Sequence, residues 1–388
     1  MRGFRIGLLI AALLMAAPVL AEEPLRVGVL VTLSGPGAVL GQQVRNGVEL
    51  ALRRRGGALG GRHVDLVVVD DELKPDVAVS RAKRLIESDK VDFVIGPIFS
   101  NILAAIIRPV TEGGAILISP NAGASKFAGA KCNADFFVTS YENTQIHAVL
   151  GEVAQRRGYR RAFLLAPNYQ AGRDAMAGFE SRFKGAIVAE DYVPLTQIDF
   201  QADLARIADA KPDVIFAFMP GGLGVALVRQ FRDAGLADRI PFLSAFTVDE
   251  STLPAERDAA VGLYGAMTWA PDMDNAANKA FVADYLAAYH GVPGSYAMQA
   301  YDAAQLIDGA LQKTGGSTAD KAKLRAALHA APFVSPRGGF RFNSNNYPIQ
   351  DFYLVRAARR ADGLYETEIV EKVFSDWADN YAASCPLK

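Results

Sequence analysis

From Leu25 onward the sequence repeats one unit: a short β-branched run, a turn carrying Gly or Pro, then a longer stretch with apolar residues at helical spacing. In the first unit "LRVGVLVTL" reads as a strand, and Val44, Val48, Ala51 and Leu52 of "GQQVRNGVELALRR" fall on one face of a helix. "HVDLVVVDD" then reads as strand, "PDVAVSRAKRLIESD" as a helix with Pro75 in its first turn, "VDFVIGP" as strand, the stretch from Asn101 as helix and "AILISP" as strand. Strands that alternate with helices form a parallel sheet, because each helix is the crossover that returns the chain to the same end of the sheet. The helices then cover both faces.

The series breaks at "CNADFFVTSYENTQ" and starts again. A helix over 143–157 leads into strand "RAFLLAP", helix "GRDAMAGFESRF", strand "AIVAEDYV", helix "FQADLARIADA", strand "DVIFAFMP", helix "GVALVRQFRDAG", and strands "PFLSAF" and "VGLYGAMTW". These make a second α/β lobe. Helical stretches over 275–290, 296–313 and 319–330 exceed what that lobe needs and are assigned back to the first, and the strands in "GFRFNSNNYPIQDFYLVRA" and "EIVEKVF" finish both. The expectation is two doubly wound parallel-sheet lobes joined by three crossovers, one of residues 22–141 with 271–345 and one of residues 142–270 with 346–388. The length of 388 residues agrees, since single cores usually stop growing near about 250 to 300 residues.

Ahead of this series, Arg2 and Arg5 precede and flank the apolar "IGLLIAALLMAAPVLA", and the acidic "EEPLR" follows. This is a secretory signal pattern, with Val19 and Ala21 where a signal peptidase reads. Cleavage is expected after Ala21, leaving a periplasmic chain that starts at Glu22. No later apolar run reaches the roughly 20 residues a bilayer span needs. Lys and Arg number 41 against 42 Asp and Glu, and the longest basic cluster is "LRRRGG", a balance that argues against a nucleic-acid partner. Cys132 and Cys385 are an even pair, and an oxidising compartment favours a disulfide between them.

The strand "VDFVIGP" stops at Gly96-Pro97 and presents Ser100 and Asn101 just beyond. A hydroxyl at a strand tip can be a nucleophile, a phosphate cradle, a ligand clasp or a helix cap. The nucleophile elbow of a hydrolase requires Gly two places to either side of the serine, and here those places hold Ile98 and Ile102. "SGPGAVLG" has the wrong spacing for a dinucleotide loop. The histidines at 63, 147, 290 and 329 share no metal-ligand spacing with one another or with the cysteines; they read as surface or packing residues, and neither a metal nor a cofactor is expected.

In open α/β sheets ligands bind beyond the carboxyl ends of the strands, where a helix N-terminus offers free N–H groups and the positive end of its dipole. Ser100 lies at such a place. So does "ISPNAGAS", whose Asn121, Ala122 and Gly123 follow the neighbouring strand. Two adjacent strand ends with hydrogen-bond donors suit a carboxylate, while a plain capping role for Ser100 stays open.

"LSGPGAVLGQQVRNGVELAL", "GPIFSN", "ISPNAG", "VRQFRDAGL" and "SYAMQAYDAAQLI", in this order and spacing, resemble the periplasmic solute-binding proteins of branched-chain amino acid ABC transporters, the Leu/Ile/Val-binding family with the type I periplasmic binding fold. The resemblance covers essentially the whole mature chain. It implies a monomeric binding protein rather than an enzyme, one that captures a small carboxylate between its lobes, closes by hinge bending and delivers the ligand to a membrane permease and ATPase. A sensor whose closed form docks on a receptor is the alternative. It also implies that Ser100 and the Asn121–Gly123 loop hold the ligand's carboxylate.

Against the family pattern, "IPFLSAFTVDE" has Phe246 where the amino acid binders carry the acidic partner of the ligand's ammonium group. A buried ammonium without a carboxylate is strongly penalised, so the resemblance implies a ligand with no α-amino group. Leu40 stands where the amino acid binders have an aromatic residue, and Pro220 and Gly221 of "FMPGGLG" where tyrosines are common. Phe246, Tyr169 from "PNYQAG", Trp269 and Tyr296 are candidates for flat apolar walls. "SPNAG", Cys132, "FFVTSYENTQ" and "APNYQAG" together resemble a branch of the family that includes binders of aromatic carboxylic acids. A 2-oxo acid fits the missing ammonium partner as well, and a branched-chain amino acid is the alternative if Asp249 or Glu250 serves the amine.

Overall fold

The structure is a computed structural model that describes residues 23–387; the expected signal segment and its cleavage point lie outside the described residues. Six strands form the first sheet: β1 (Leu25–Val31), β2 (Ala58–Leu59), β3 (Arg62–Asp70), β4 (Phe93–Ile95), β5 (Ile116–Ser119) and β6 (Phe136–Val138), in the order β2-β3-β1-β4-β5-β6. All neighbours are parallel except the β2–β3 hairpin. Helices α1 (Ala38–Arg53), α2 (Pro75–Glu87), α3 (Ser100–Glu112) and the single turn α4 (Ser125–Ala128) follow the strands. Every residue of β1 except Arg26 is buried, as for a strand covered on both faces.

After α5 (Asn143–Arg156) the second sheet assembles from β7 (Arg161–Pro167), β8 (Ala186–Val193), β9 (Val214–Ala217), β10 (Phe242–Ser244) and β11 (Tyr264–Met267). Its connections are α6 (Gln170–Arg182), α7 (Gln201–Ala210), α8 (Gly222–Asp233) and α9 (Leu253–Glu256). Helices α10 (Ala276–Tyr289), α11 (Ser295–Thr314) and α12 (Lys321–His329) then return to the first sheet's side, with α11 packed on α1 and α12 on α11. The tail adds β12 (Arg341–Phe342), β13 (Pro348–Arg359) and β14 (Tyr365–Trp377), giving the order β12-β13-β11-β10-β9-β7-β8, with β14 on β13.

Strands β7 to β11 are parallel to their neighbours, as the alternation predicts. The tail differs: β13 runs antiparallel to β11, and β12 and β14 run antiparallel to β13. No helix separates β12, β13 and β14, so there is no crossover to bring the chain back parallel and these three form a meander, whereas α10 to α12 lie between β11 and β13. The main apolar core runs through both lobes, from Leu25 of β1 to Val355 of β13. A second cluster packs Leu204 and Ile207 of α7 and Leu227 and Phe231 of α8 onto the second sheet.

A buried ion pair and the hydrogen bonds around it join the segment that leaves the first sheet after β6 to β13 of the second. Arg337 lies 2.9 Å from Asp302 of α11, with both side chains almost fully enclosed. Its guanidinium also donates to the carbonyls of Thr139 and Ser140 and, at 2.6 Å, to Gln350 Oε1. Gln350 donates in turn to the Ser140 carbonyl at 2.6 Å. Each partner compensates a charge or carbonyl that burial would otherwise leave exposed to a low dielectric.

Cys132 and Cys385 are bonded, with Cα atoms 5.7 Å apart, and the bridge ties the tail to the first lobe across 253 residues of sequence. A loop of that length carries a chain-entropy constraint on the order of 5 kcal/mol in the simplest treatment. Alkylation of protein made in the periplasm and denatured without reductant is therefore expected to label neither cysteine. Two labelled thiols per chain would contradict the bridge.

Candidate ligand site between the lobes

Ser100 is the first residue of α3, and the N-cap position belongs to Phe99, which makes no side-chain capping bond. The capping role left open by the sequence is thus not the role of this hydroxyl. The first bond into the helix runs from the Leu103 N–H to the Phe99 carbonyl at 3.0 Å, so the amides of Ser100, Asn101 and Ile102 have no acceptor within the helix. Ser100 Oγ accepts from Asn143 Nδ2 at 3.2 Å, which leaves its own O–H to donate. Because that partner is a carboxamide, which takes no proton, the arrangement does not activate a nucleophile.

Asn143, the first residue of α5, joins several segments. Its Nδ2 donates to Asp174 Oδ2 of α6 at 3.0 Å as well as to Ser100, and its Oδ1 accepts the Gly123 N–H at 3.2 Å. Asp174 also accepts from Ser125 Oγ and Gln170 Nε2, each at 2.8 Å. Gly123 is required here: a Cβ on it would lie 1.8 Å from the Tyr141 carbonyl oxygen. Asn121 donates to the Ile98 carbonyl at 2.7 Å and accepts from the Tyr141 hydroxyl at 2.9 Å. Its carboxamide therefore braces two loops against each other instead of turning donors outward, as the sequence reading expects. The Gly123 amide is likewise committed to Asn143, and the Ala122 amide reaches only the Pro97 carbonyl, at 3.4 Å. The donors free for a carboxylate are the Ser100 hydroxyl and the first amides of α3. Beside them Asn101 Oδ1 is shielded from solvent and unpartnered.

The aromatic residues gather at the same seam. Phe246 follows β10 with φ 58, a left-handed conformation that costs about 1–2 kcal/mol for a residue with a side chain. Held there, its ring stacks on Tyr141 at 4.9 Å and 17° and meets Tyr296 edge-on at 5.7 Å. Tyr169 lies 6.1 Å from Phe99 and 6.3 Å from Phe218. Rings from β4's loop and α11 in the first lobe thus meet rings from the second.

Sequence reasoning missed Tyr141, Phe99, Phe218 and the linking Asn143. The signal was available, because each lies within four residues of a strand's carboxyl end or in a passage between lobes. Trp269 does not join the cluster. Its indole N–H donates to Asn278 at 2.7 Å and its ring meets Phe281 at 5.9 Å, so it packs β11 against α10. Pro220 is buried, and a Cβ on Gly221 (φ 65) would lie 2.7 Å from the Pro36 carbonyl oxygen and 3.5 Å from Leu40. Leu40, Pro220 and Gly221 are therefore part of the contact through which the lobes approach.

Burial, with the neighbouring phenols and Asp249, holds the Tyr141 and Tyr296 hydroxyls well above their usual pKa; burial raises Tyr169 too, so all three are neutral. Burial pushes Asp249 up to about 6 while bonds from Ser251 pull it down, which leaves it ionised at neutral pH. Glu250 is pushed up to about 8 by burial and by the Asp249 charge, against bonds from the Thr367 amide and hydroxyl at 2.7 and 2.6 Å. His147 packs edge-on to Phe218, and burial takes it down to about 3, so it is a neutral packing residue. Among the described residues no group of three His, Cys, Asp or Glu side chains is placed to hold a metal ion.

A family model described as "Periplasmic binding protein" matches residues 24–363. The chain belongs to the periplasmic binding protein family. One relative is the Leu/Ile/Val-binding protein homolog 6 of Brucella melitensis, 26% identical over 374 residues that cover 93% of this chain and 95% of that protein. A solved ABC transporter solute-binding protein of R. palustris in complex with benzoate is 34% identical, with a TM-score of 0.88, covering 92% of this chain and 99% of that one. A second, in complex with 4-hydroxybenzoate, is 28% identical, with a TM-score of 0.85 and the same coverage of 92% and 99%. The chain is thus a periplasmic solute-binding protein of the type I fold and not an enzyme. No described helix is long and apolar enough to cross a membrane.

Replacing Ser100 by Ala removes one free donor. Affinity for a small carboxylate is expected to fall about tenfold to a hundredfold, the loss of a charge-assisted bond worth roughly 1.5 to 3 kcal/mol, with little change in the melting temperature of the ligand-free protein. Calorimetry would check this, and unchanged affinity would remove Ser100 from the site.

Proposed function

We propose that this protein is the extracytoplasmic solute-binding component of an ABC importer and that it binds an aromatic carboxylic acid lacking an α-amino group. The ligand lies between lobes of residues 22–141 with 271–345 and 142–270 with 346–388; the lobes close on it by hinge bending, and a membrane permease and ATPase receive it. The observation that carries this reading is Phe246, stacked on Tyr141 and edge-on to Tyr296 beside the free donors of α3. Flat apolar walls suit a planar ring, and stacked or edge-on pairs add about 0.5 to 1.5 kcal/mol beyond area burial. Ser100 and the first amides of α3 take the carboxylate; Asn121 and Gly123 hold the loops in place. The benzoate and 4-hydroxybenzoate complexes of the R. palustris proteins support the same ligand class.

A second reading is a branched-chain amino acid binder. It is favoured by the Leu/Ile/Val-binding relatives and by the ionised Asp249, which could take an ammonium group. The aromatic walls and the higher identity of the benzoate-binding structure support the first reading over it.

A thermal-shift panel separates the two. Benzoate or a hydroxybenzoate at about 100 times its dissociation constant adds roughly 2.7 kcal/mol to the folded state, a readily visible rise in melting temperature, while leucine, isoleucine and valine leave it unchanged. Phe246→Glu is expected to weaken binding of the aromatic acids by setting a desolvated carboxylate against the ring. Stabilisation by leucine and none by the aromatic acids would overturn the ligand assignment and leave the transport role standing.

A further inference from the structure

Asp249 lies three residues beyond Phe246 on the loop after β10 and has no solvent exposure. Its Oδ1 accepts from the Ser251 amide at 2.8 Å and from the Ser251 hydroxyl. Its Oδ2 is fully shielded and has no partner. Native proteins satisfy almost all buried polar atoms, and an ionised oxygen left without a donor costs more than a neutral one. The Tyr141 hydroxyl is committed to Asn121 at 2.9 Å. The Asp249 charge helps raise the phenols of both Tyr141 and Tyr296, so the carboxylate lies near the stacked rings.

We propose that the free oxygen of Asp249 accepts a hydrogen bond from a hydroxyl on the ligand's ring, so that the ligand class is a hydroxylated aromatic acid rather than an unsubstituted one. This rests on the aromatic-acid reading above and adds a second polar anchor to the clasp at Ser100. A ring held at its carboxylate alone can rotate and slide between flat walls; a second anchor fixes its length and orientation. A phenol donating to a buried carboxylate makes a short, charge-assisted bond. A ligand lacking the hydroxyl leaves that carboxylate desolvated and unpaired when the lobes close. Sites that hydrogen-bond a substrate hydroxyl reject the analogue without it far more strongly than apolar pockets reject an added group.

The test is calorimetric titration of the wild type with benzoate, 3-hydroxybenzoate, 4-hydroxybenzoate and leucine, repeated on Asp249→Asn and Asp249→Ala. The wild type is expected to bind at least one hydroxybenzoate tenfold or more tighter than benzoate, and in the variants that ratio is expected to collapse to within about threefold, the span of a lost charge-assisted bond being roughly tenfold to a hundredfold. The melting temperature of each ligand-free variant shows whether it is folded, and if neither folds the wild-type ratio alone decides. Equal binding of benzoate and both hydroxybenzoates, or a preference that survives both substitutions, overturns this inference and leaves the aromatic-acid reading intact. Binding of leucine and of none of the aromatic acids overturns both.

Discussion

The carboxamide of Asn143 is bonded at once to the serine at the start of α3, to the loop after β5 and to Asp174 on α6, and the shape of the candidate site depends on that one side chain. Because its nitrogen donates to Ser100 Oγ, the serine proton is turned away from Asn143 and is available to something else. Because its oxygen takes the Gly123 amide, that loop cannot drift from α3. Its third partner, Asp174 of α6, is itself held by Ser125 and Gln170. A carboxylate loses a large hydration free energy on burial, and only donors fixed in advance compensate it well. The network supplies two kinds of fixed donor, a hydroxyl and helix amides, without a formal positive charge.

The rest of the seam is apolar and comes from both lobes. Phe246 is held in a left-handed conformation that its own backbone disfavours, with its ring against Tyr141 and Tyr296. Under the proposed function, such contacts between lobes are what would let a ligand favour a closed state. Gly221, with no side chain, lets the second lobe approach Pro36 and Leu40. Away from these rings the Arg337–Asp302 pair ties the Thr139–Ser140 segment and Gln350 of β13 to α11.

Most of the fold was legible because hydrophobic periodicity and turn residues act locally. The expected helix over 143–157 is α5 at Asn143–Arg156, and the expected strand "RAFLLAP" is β7. The tail was less so: β13 and β14 are long and partly apolar like the parallel strands, and their direction follows from what connects them rather than from their own residues. Within the site, Ser100, Phe246, Tyr169 and Tyr296 could be picked out, since each sits near a strand end or helix start. Asn121 and Trp269 could not be sorted the same way. A carboxamide or an indole has the same appearance in sequence whether its partner is a ligand or Ile98 and Asn278, and only the folded geometry decides. Asp249 is named from the sequence only as a possible partner for an amine, because a free lone pair is a property of the surroundings and not of the residue.

The central claim is that an aromatic carboxylate occupies the seam, and the most direct measurement is mass spectrometry of small molecules released on denaturing protein purified from its native periplasm. The account predicts an aromatic carboxylic acid in near-stoichiometric amount. Recovery of leucine, isoleucine or valine in its place would contradict it.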